Sequence, residues 1–97
     1  MDYRPSRRPT RVGATIVIDD MILQTVVVDI SRDGARLSLP GWIAPGTAVY
    51  LKVRDASVPA LVHWMSDGHA GVRFYDRLDR ETLIALETAD DPLADWR

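Results

Sequence analysis

Turn residues cut the stretch from Val12 to Tyr75 into six short segments of strand-forming residues, and one helical pattern follows them. Several short strands followed by one helix restrict the architecture to a closed or nearly closed antiparallel barrel. Val12 to Asp19 is rich in β-branched residues and closes at Asp19-Asp20; Ile22 to Ile30 centres on Val26, Val27 and Val28. Gly34 to Leu39 alternates, with Ala35, Leu37 and Leu39 on one face and Arg36 and Ser38 on the other. Ala48 to Val53, Val58 to Met65 and Ala70 to Tyr75 complete the six. Pro40, Gly41, Pro45 and Gly46 mark a loop in which Trp42 and Ile43 are expected to tuck against the core. Asp67-Gly68 is a strong two-residue hairpin signal. It sets Trp64 opposite Gly71, an aromatic ring covering a strand glycine. It also gathers Leu61, Met65, Val72 and Phe74 on the other face, the expected interior.

Asp79 to Glu87 carries the helical pattern: Asp79 caps, Glu81 suits the positive end of the dipole, and Leu83, Ile84 and Leu86 form an apolar side. The expected fold is all-β, a closed or nearly closed six-stranded antiparallel barrel with one C-terminal helix over an end. With 97 residues there is room for a single domain. Residues 1–11 form a flexible arginine-rich arm, 12–76 the barrel, 79–88 the helix and 89–97 an acidic tail. Met1 to Thr10 shows no apolar periodicity and holds Pro5 and Pro9, which is why an arm is expected there.

Composition excludes several functions. The chain has no cysteine, so disulfide staples and thiolate metal sites are ruled out. Neither a signal-like leader nor an apolar run of roughly 20 residues occurs, so a soluble, cytoplasmic protein without membrane insertion is expected. The net charge of −2 has the wrong sign for a general DNA or RNA binder. Charge is unevenly spread, however: Arg4, Arg7, Arg8 and Arg11 crowd one end and Asp90, Asp91 and Asp95 the other. A positive arm on an acidic body suits a local anion site.

Two constellations carry chemistry. In Arg7-Arg8-Pro9-Thr10-Arg11, Arg7 and Arg11 stand four apart, as do Arg4 and Arg8. Guanidinium forks match phosphate oxygens and the O6/N7 edge of guanine, and they stack on base faces. The bland alternative is a solvated basic tail. The second constellation is Asp29-Ile30-Ser31-Arg32-Asp33-Gly34. Asp29 and Ser31 share a strand face. If Arg32-Asp33 forms the loop, Ser31 faces Gly34 and Asp29 faces Arg36. If Asp33-Gly34 forms it, Ser31 faces Arg36. Both registers gather Asp29, Ser31 and Arg36 on one surface, because they differ by an even shift. Gly34 leaves room for a flat base near the backbone. A carboxylate can accept from guanine's amino and imino hydrogens, and a hydroxyl can contact phosphate or base. The bland alternative is a hairpin whose Asp, Ser and Gly serve the turn.

Together these residues resemble the PilZ domain, a family of bacterial receptors for cyclic di-GMP. Arg7-x-x-x-Arg11 is similar to the family's RxxxR motif and Asp29-x-Ser31-x-x-Gly34 to its (D/N)xSxxG motif. Val62-x-Trp64 and Gly71-Val72-Arg73-Phe74 resemble its later strand pair. The resemblance implies a six-stranded barrel with a C-terminal helix, and an arm that closes over ligand on the barrel surface. It implies cyclic di-GMP binding by Arg7, Arg8, Arg11, Asp29, Ser31 and Gly34; strand parity adds Arg36, either as a ligand contact or as the charge partner of Asp29. It implies a non-enzymatic receptor with no cofactor beyond its ligand, signalling to a separate protein partner. The alternative is a nucleotide-independent interaction adaptor of the same fold; such family members usually lack the arginine motif.

Other residues read more plainly. His63 and His69 do not converge with a third strong ligand, so no metal site is expected. Nothing pairs Ser31 with a histidine base, so nucleophilic catalysis has no support. Trp42, Trp64 and Trp96 read as packing residues before stacking platforms. Arg73 reads two ways, as a residue reaching the ligand face or as a solvated strand residue.

Overall fold

The computed structural model describes residues 8–88 of the chain. Within them the order is β1 (Arg8–Ile18), β2 (Met21–Ile30), β3 (Gly34–Ser38), β4 (Ala48–Val53), β5 (Ala56–Ser66), β6 (His69–Phe74) and α1 (Arg80–Thr88). Hydrogen-bonded neighbours run β1-β2-β3-β6-β5-β4, and β4 pairs back onto β1. The result is a closed antiparallel barrel, as expected, with closure resting on the three pairs Thr15–Lys52, Ile16–Leu51 and Val17–Tyr50.

Alternation fills its interior. On β4, Val49, Leu51 and Val53 point inward and Ala48, Tyr50 and Lys52 outward. Ile16, Leu37, Leu51 and Ala60 are fully buried at the centre of the core. Thr25, a buried polar residue, donates its hydroxyl to the Ser38 carbonyl at 2.6 Å, which satisfies the group at the core's edge. Asp67 and Gly68 both have positive φ, as a two-residue type I′ turn demands. Trp64 stands opposite Gly71 as expected.

Four local expectations are corrected. β1 starts at Arg8, so residues 8–11, assigned to the arm, open the strand, and Pro9 pairs with Asp29. Leu61 is half-buried on the outside and Val62 takes the interior place, because an extra residue, His63, interrupts the β5–β6 register between Val62 and Trp64. Trp42 is 70% exposed while Ile43 is buried. Successive residues of an extended loop point opposite ways, and the purely apolar side chain fills the core without leaving an indole N–H to satisfy. On α1, Leu83 and Leu86 are buried but Ile84 is exposed; residues three apart share a helix face and adjacent ones do not.

Asp79 caps α1, accepting the Thr82 N–H at 2.7 Å. Hydrogen bonds from the Thr82 side chain and backbone, aided by the Arg32 charge, hold the Asp79 carboxyl below its ordinary value. A depressed carboxylate stabilises the fold above its unfolded pKa, and that contribution disappears as pH falls through the folded value. Amides in the first turn of α1 should therefore exchange faster below about pH 4 than opening elsewhere accounts for. Asp79→Asn, which caps without titrating, should remove that dependence. An identical acid response in the Asn variant would defeat this role for Asp79.

Candidate functional site

Cross-strand register brings the second sequence constellation together on the outside of the barrel. Asp29 of β2 pairs with Arg36 of β3, Arg36 with Gly71 of β6, and Gly71 with Trp64 of β5, forming one transverse row. A second row runs beside it: Gly34 pairs with Arg73, and Arg73 with Leu61. At its head the Ser31 N–H donates to the Gly34 carbonyl at 2.8 Å. This is the register with Arg32-Asp33 as the loop, one of the two that strand parity allowed. Between the rows lies a depression of about 240 Å³, lined by Ser31, Gly34, Arg36, Trp64, Gly71 and Arg73 among others.

Three irregularities in the ladders aim these side chains. Val27 is buried in the core, so strict alternation would send Asp29 inward as well. The register shift between Val27 and Asp29 makes Val28 an extra residue and turns Asp29 to the outer face. There its Oδ2 meets Arg36 Nε at 3.2 Å. On β5 the extra His63 does the same for Trp64, following inward-facing Val62. On β1 the shift between Pro9 and Val12 places Thr10 and Arg11 in a bulge opposite Val28, with Arg11 exposed and Val12 buried. Bulges recur at binding sites because one extra residue re-aims a side chain without breaking the sheet.

The two glycines clear the floor for different reasons. A Cβ on Gly34 would collide with the Val72 carbonyl oxygen and come within 3.3 Å of Arg73 Cα, so the neighbouring backbone occupies that space. A Cβ on Gly71 would collide with the Trp64 indole, which lies over it. The Ser31 hydroxyl accepts from the Asp33 N–H at 3.2 Å and reaches the Gly34 carbonyl at 3.4 Å, serving the turn itself.

Turn and helix are joined. Arg32 Nε donates to the Leu78 carbonyl at 2.7 Å, and the Leu78 N–H donates to the Arg32 carbonyl at 2.8 Å. The Phe74 N–H donates to the Asp33 carbonyl, and Arg77 Nε stands 3.4 Å from Asp33 Oδ1. The loop carrying Ser31 is thus tied to the segment that enters α1.

Of the sequence-predicted site residues, Asp29, Ser31, Gly34 and Arg36 converge on this face, and Arg11 sits in the adjoining bulge. Arg36 is the charge partner of Asp29, and Arg73 faces the depression. Arg8 pairs through its backbone with Ile30; Arg7, the acidic tail and Trp96 lie outside the described residues. Trp64 and His63 also line the depression, although they read from sequence as packing and surface residues. For Trp64 the signal was present: a tryptophan paired with a strand glycine outside the barrel leaves an aromatic surface beside a gap. His63 gave none, because only its bulge brings it there. Guanidinium groups, an indole 37% exposed and a glycine-cleared floor together suit a flat, anionic, aromatic ligand.

Among the described residues, no group of three His, Cys, Asp or Glu is placed to hold a metal ion, and no helix is long and apolar enough to cross a membrane. No curated protein matches the chain. The fold is similar to that of the PilZ domain of CeSA from a cellulose-synthesizing bacterium, with a TM-score of 0.64 and 21% identity over 86% of this chain and 95% of that one. The sequence pattern of the PilZ domain matches residues 3–89, almost the whole chain. With the barrel, the helix and that match in agreement, the chain belongs to the PilZ domain family, a family of cyclic di-GMP receptors.

Proposed function

We propose that this chain is a non-enzymatic cytoplasmic receptor that binds cyclic di-GMP over the depression between β2, β3, β5 and β6 and relays the signal to a separate protein. The observation that carries the reading is the transverse row Asp29–Arg36–Gly71–Trp64, with Arg11 in the adjoining bulge. Arg7 and Arg11 clamp phosphate and guanine, with Arg8 helping. Asp29, oriented by Arg36, accepts from the guanine amino and imino hydrogens. Ser31 fixes the position of the base, and Gly34 allows its approach. Binding fixes the segment ahead of β1 over the ligand; the entropy lost is offset by charge-assisted hydrogen bonds. The relay then consists of a changed surface presented to the partner.

A calorimetric titration with cyclic di-GMP tests this, and saturable binding at micromolar or lower concentration is the expected result. Asp29→Ala should weaken the guanine dinucleotide by about tenfold or more while changing cyclic di-AMP less, because only guanine offers both donors. Equal losses for the two would make Asp29 purely structural. Amide exchange across residues 4–7 should slow with ligand; unchanged exchange would remove the arm from the mechanism.

One observation favours the nucleotide-independent adaptor: Ser31 and Asp29 already serve the turn and the Arg36 pair without any ligand. Absence of binding by calorimetry and by a second method would select that reading.

A further inference from the structure

The β1–β4 side of the barrel carries a second surface, whose groove shares no lining residue with the depression described above. Register aligns Ile22 with Val17, Val17 with Tyr50, and Tyr50 with Pro59, in one outward row across β2, β1, β4 and β5. The Tyr75 N–H donates to the Pro59 carbonyl at 3.2 Å and so extends the row. Ile22 is 64%, Tyr50 53% and Tyr75 58% exposed. The next row on one side, Gln24, Thr15, Lys52 and Ser57, is polar throughout, so the apolar row has a sharp border there. Within it lies a groove of about 310 Å³ lined by Val17, Asp19, Ala48, Tyr50, Pro59 and Tyr75 among others. Isolated exposed apolar residues are ordinary; a contiguous row with a polar border marks a contact surface.

Several features restrict the occupant. The groove lies over the paired residues of β1, β4 and β5, so an occupant meets side chains there and does not extend the sheet. At about 310 Å³ the groove has the size of a small-ligand site, which suits a short segment. Asp19 is the sole charge lining it and calls for a cation. Two tyrosines flanking a proline offer flat apolar faces with hydroxyl donors. A polyproline II segment fits both: it is preformed, and its carbonyls are free to accept. The chain's own arginine-proline segment does not reach. Val17 lies along β1 from Arg8 by roughly 30 Å at strand rise, whereas Arg4-Pro5, three to four residues ahead of Arg8, can reach back at most roughly 14 Å.

We propose that the Tyr50–Pro59–Tyr75 groove docks a short, proline-rich basic segment of another protein. This stands whether or not the chain binds nucleotide. The test is an amide NMR titration of the nucleotide-free protein with an acetylated peptide of one arginine followed by seven prolines. Saturable shifts are expected at Val17, Ala48, Tyr50 and Tyr75, with a dissociation constant of about 1 mM or tighter. Tyr50→Ala and Tyr75→Ala, both changes at exposed side chains, should each weaken binding about tenfold. Replacing the peptide's arginine with glutamate should weaken it about fivefold, a difference that Asp19→Asn should erase. No saturable shift at about 5 mM, shifts centred on Gly34 and Arg73, or full binding by both tyrosine variants would overturn the proposal. So would concentration-dependent shifts of the same amides without peptide, which would make the occupant a second copy of this chain.

Discussion

Gly34→Ala is expected to lower the unfolding free energy by about 3 kcal/mol, the upper part of the range for forcing atoms into a packed interior. The added methyl meets the Val72 carbonyl oxygen, the Val72 carbonyl carbon and Arg73 Cα, all backbone of the neighbouring strand. No rotamer change relieves such a contact, so β3 and β6 must separate where the ladder pairs Gly34 with Arg73. Urea unfolding should show a lower midpoint at an unchanged slope. Gly71→Ala is a graded comparison, because its obstacle is the Trp64 ring, a side chain that can swing away. A loss of about 1 kcal/mol with a change in Trp64 fluorescence is expected there. Gly41→Ala meets nothing within 4 Å and should be close to neutral. If Gly34→Ala were no worse than Gly41→Ala, the close approach of β6 would not be the reason for that glycine. Loss of ligand binding by Gly34→Ala therefore needs a folding control before it counts as a lost contact.

Arg11→Ala should do the reverse, leaving stability within about 0.5 kcal/mol and removing affinity. Arg11 is exposed beside the bulge, so little packing is lost. A charged donor facing an anion contributes about 2 kcal/mol, so cyclic di-GMP should bind roughly thirtyfold more weakly. Arg11→Lys should fall between the two, since an ammonium keeps the charge but not the planar fork. Near-wild-type affinity in Arg11→Ala would remove this residue from the clamp. A large drop in thermal stability would make it a residue of the fold.

Much of this could be read from the chain because the relevant signals are local. Asp67-Gly68 can take positive φ at both turn positions, and that alone sets Trp64 against Gly71. Ala35 and Leu37 alternate with Arg36 in a strand too short to drift, so their faces were legible. Asp29, Ser31 and Arg36 shared a surface in either register considered, and the structure realises the one with Arg32-Asp33 as the loop.

Leu61 and the start of β1 depart from expectation for a common reason: local pattern reports only which residues alternate. A strand's faces are defined relative to its partners, and one extra residue exchanges them for everything beyond it. The bulges at Val28, at His63 and at Thr10–Arg11 supply those extra residues. Each is fixed by what lies across the barrel. Val27 and Val62 must fill the core, while Asp29 and Trp64, close beside them in sequence, must turn outward. The sequence by itself determined the number of strands, the tight hairpin and the gathering of Asp29, Ser31 and Arg36 on one surface. Closure of the barrel decided which way those residues point, because only there do burial of the valines and outward placement of the carboxylate have to be satisfied together.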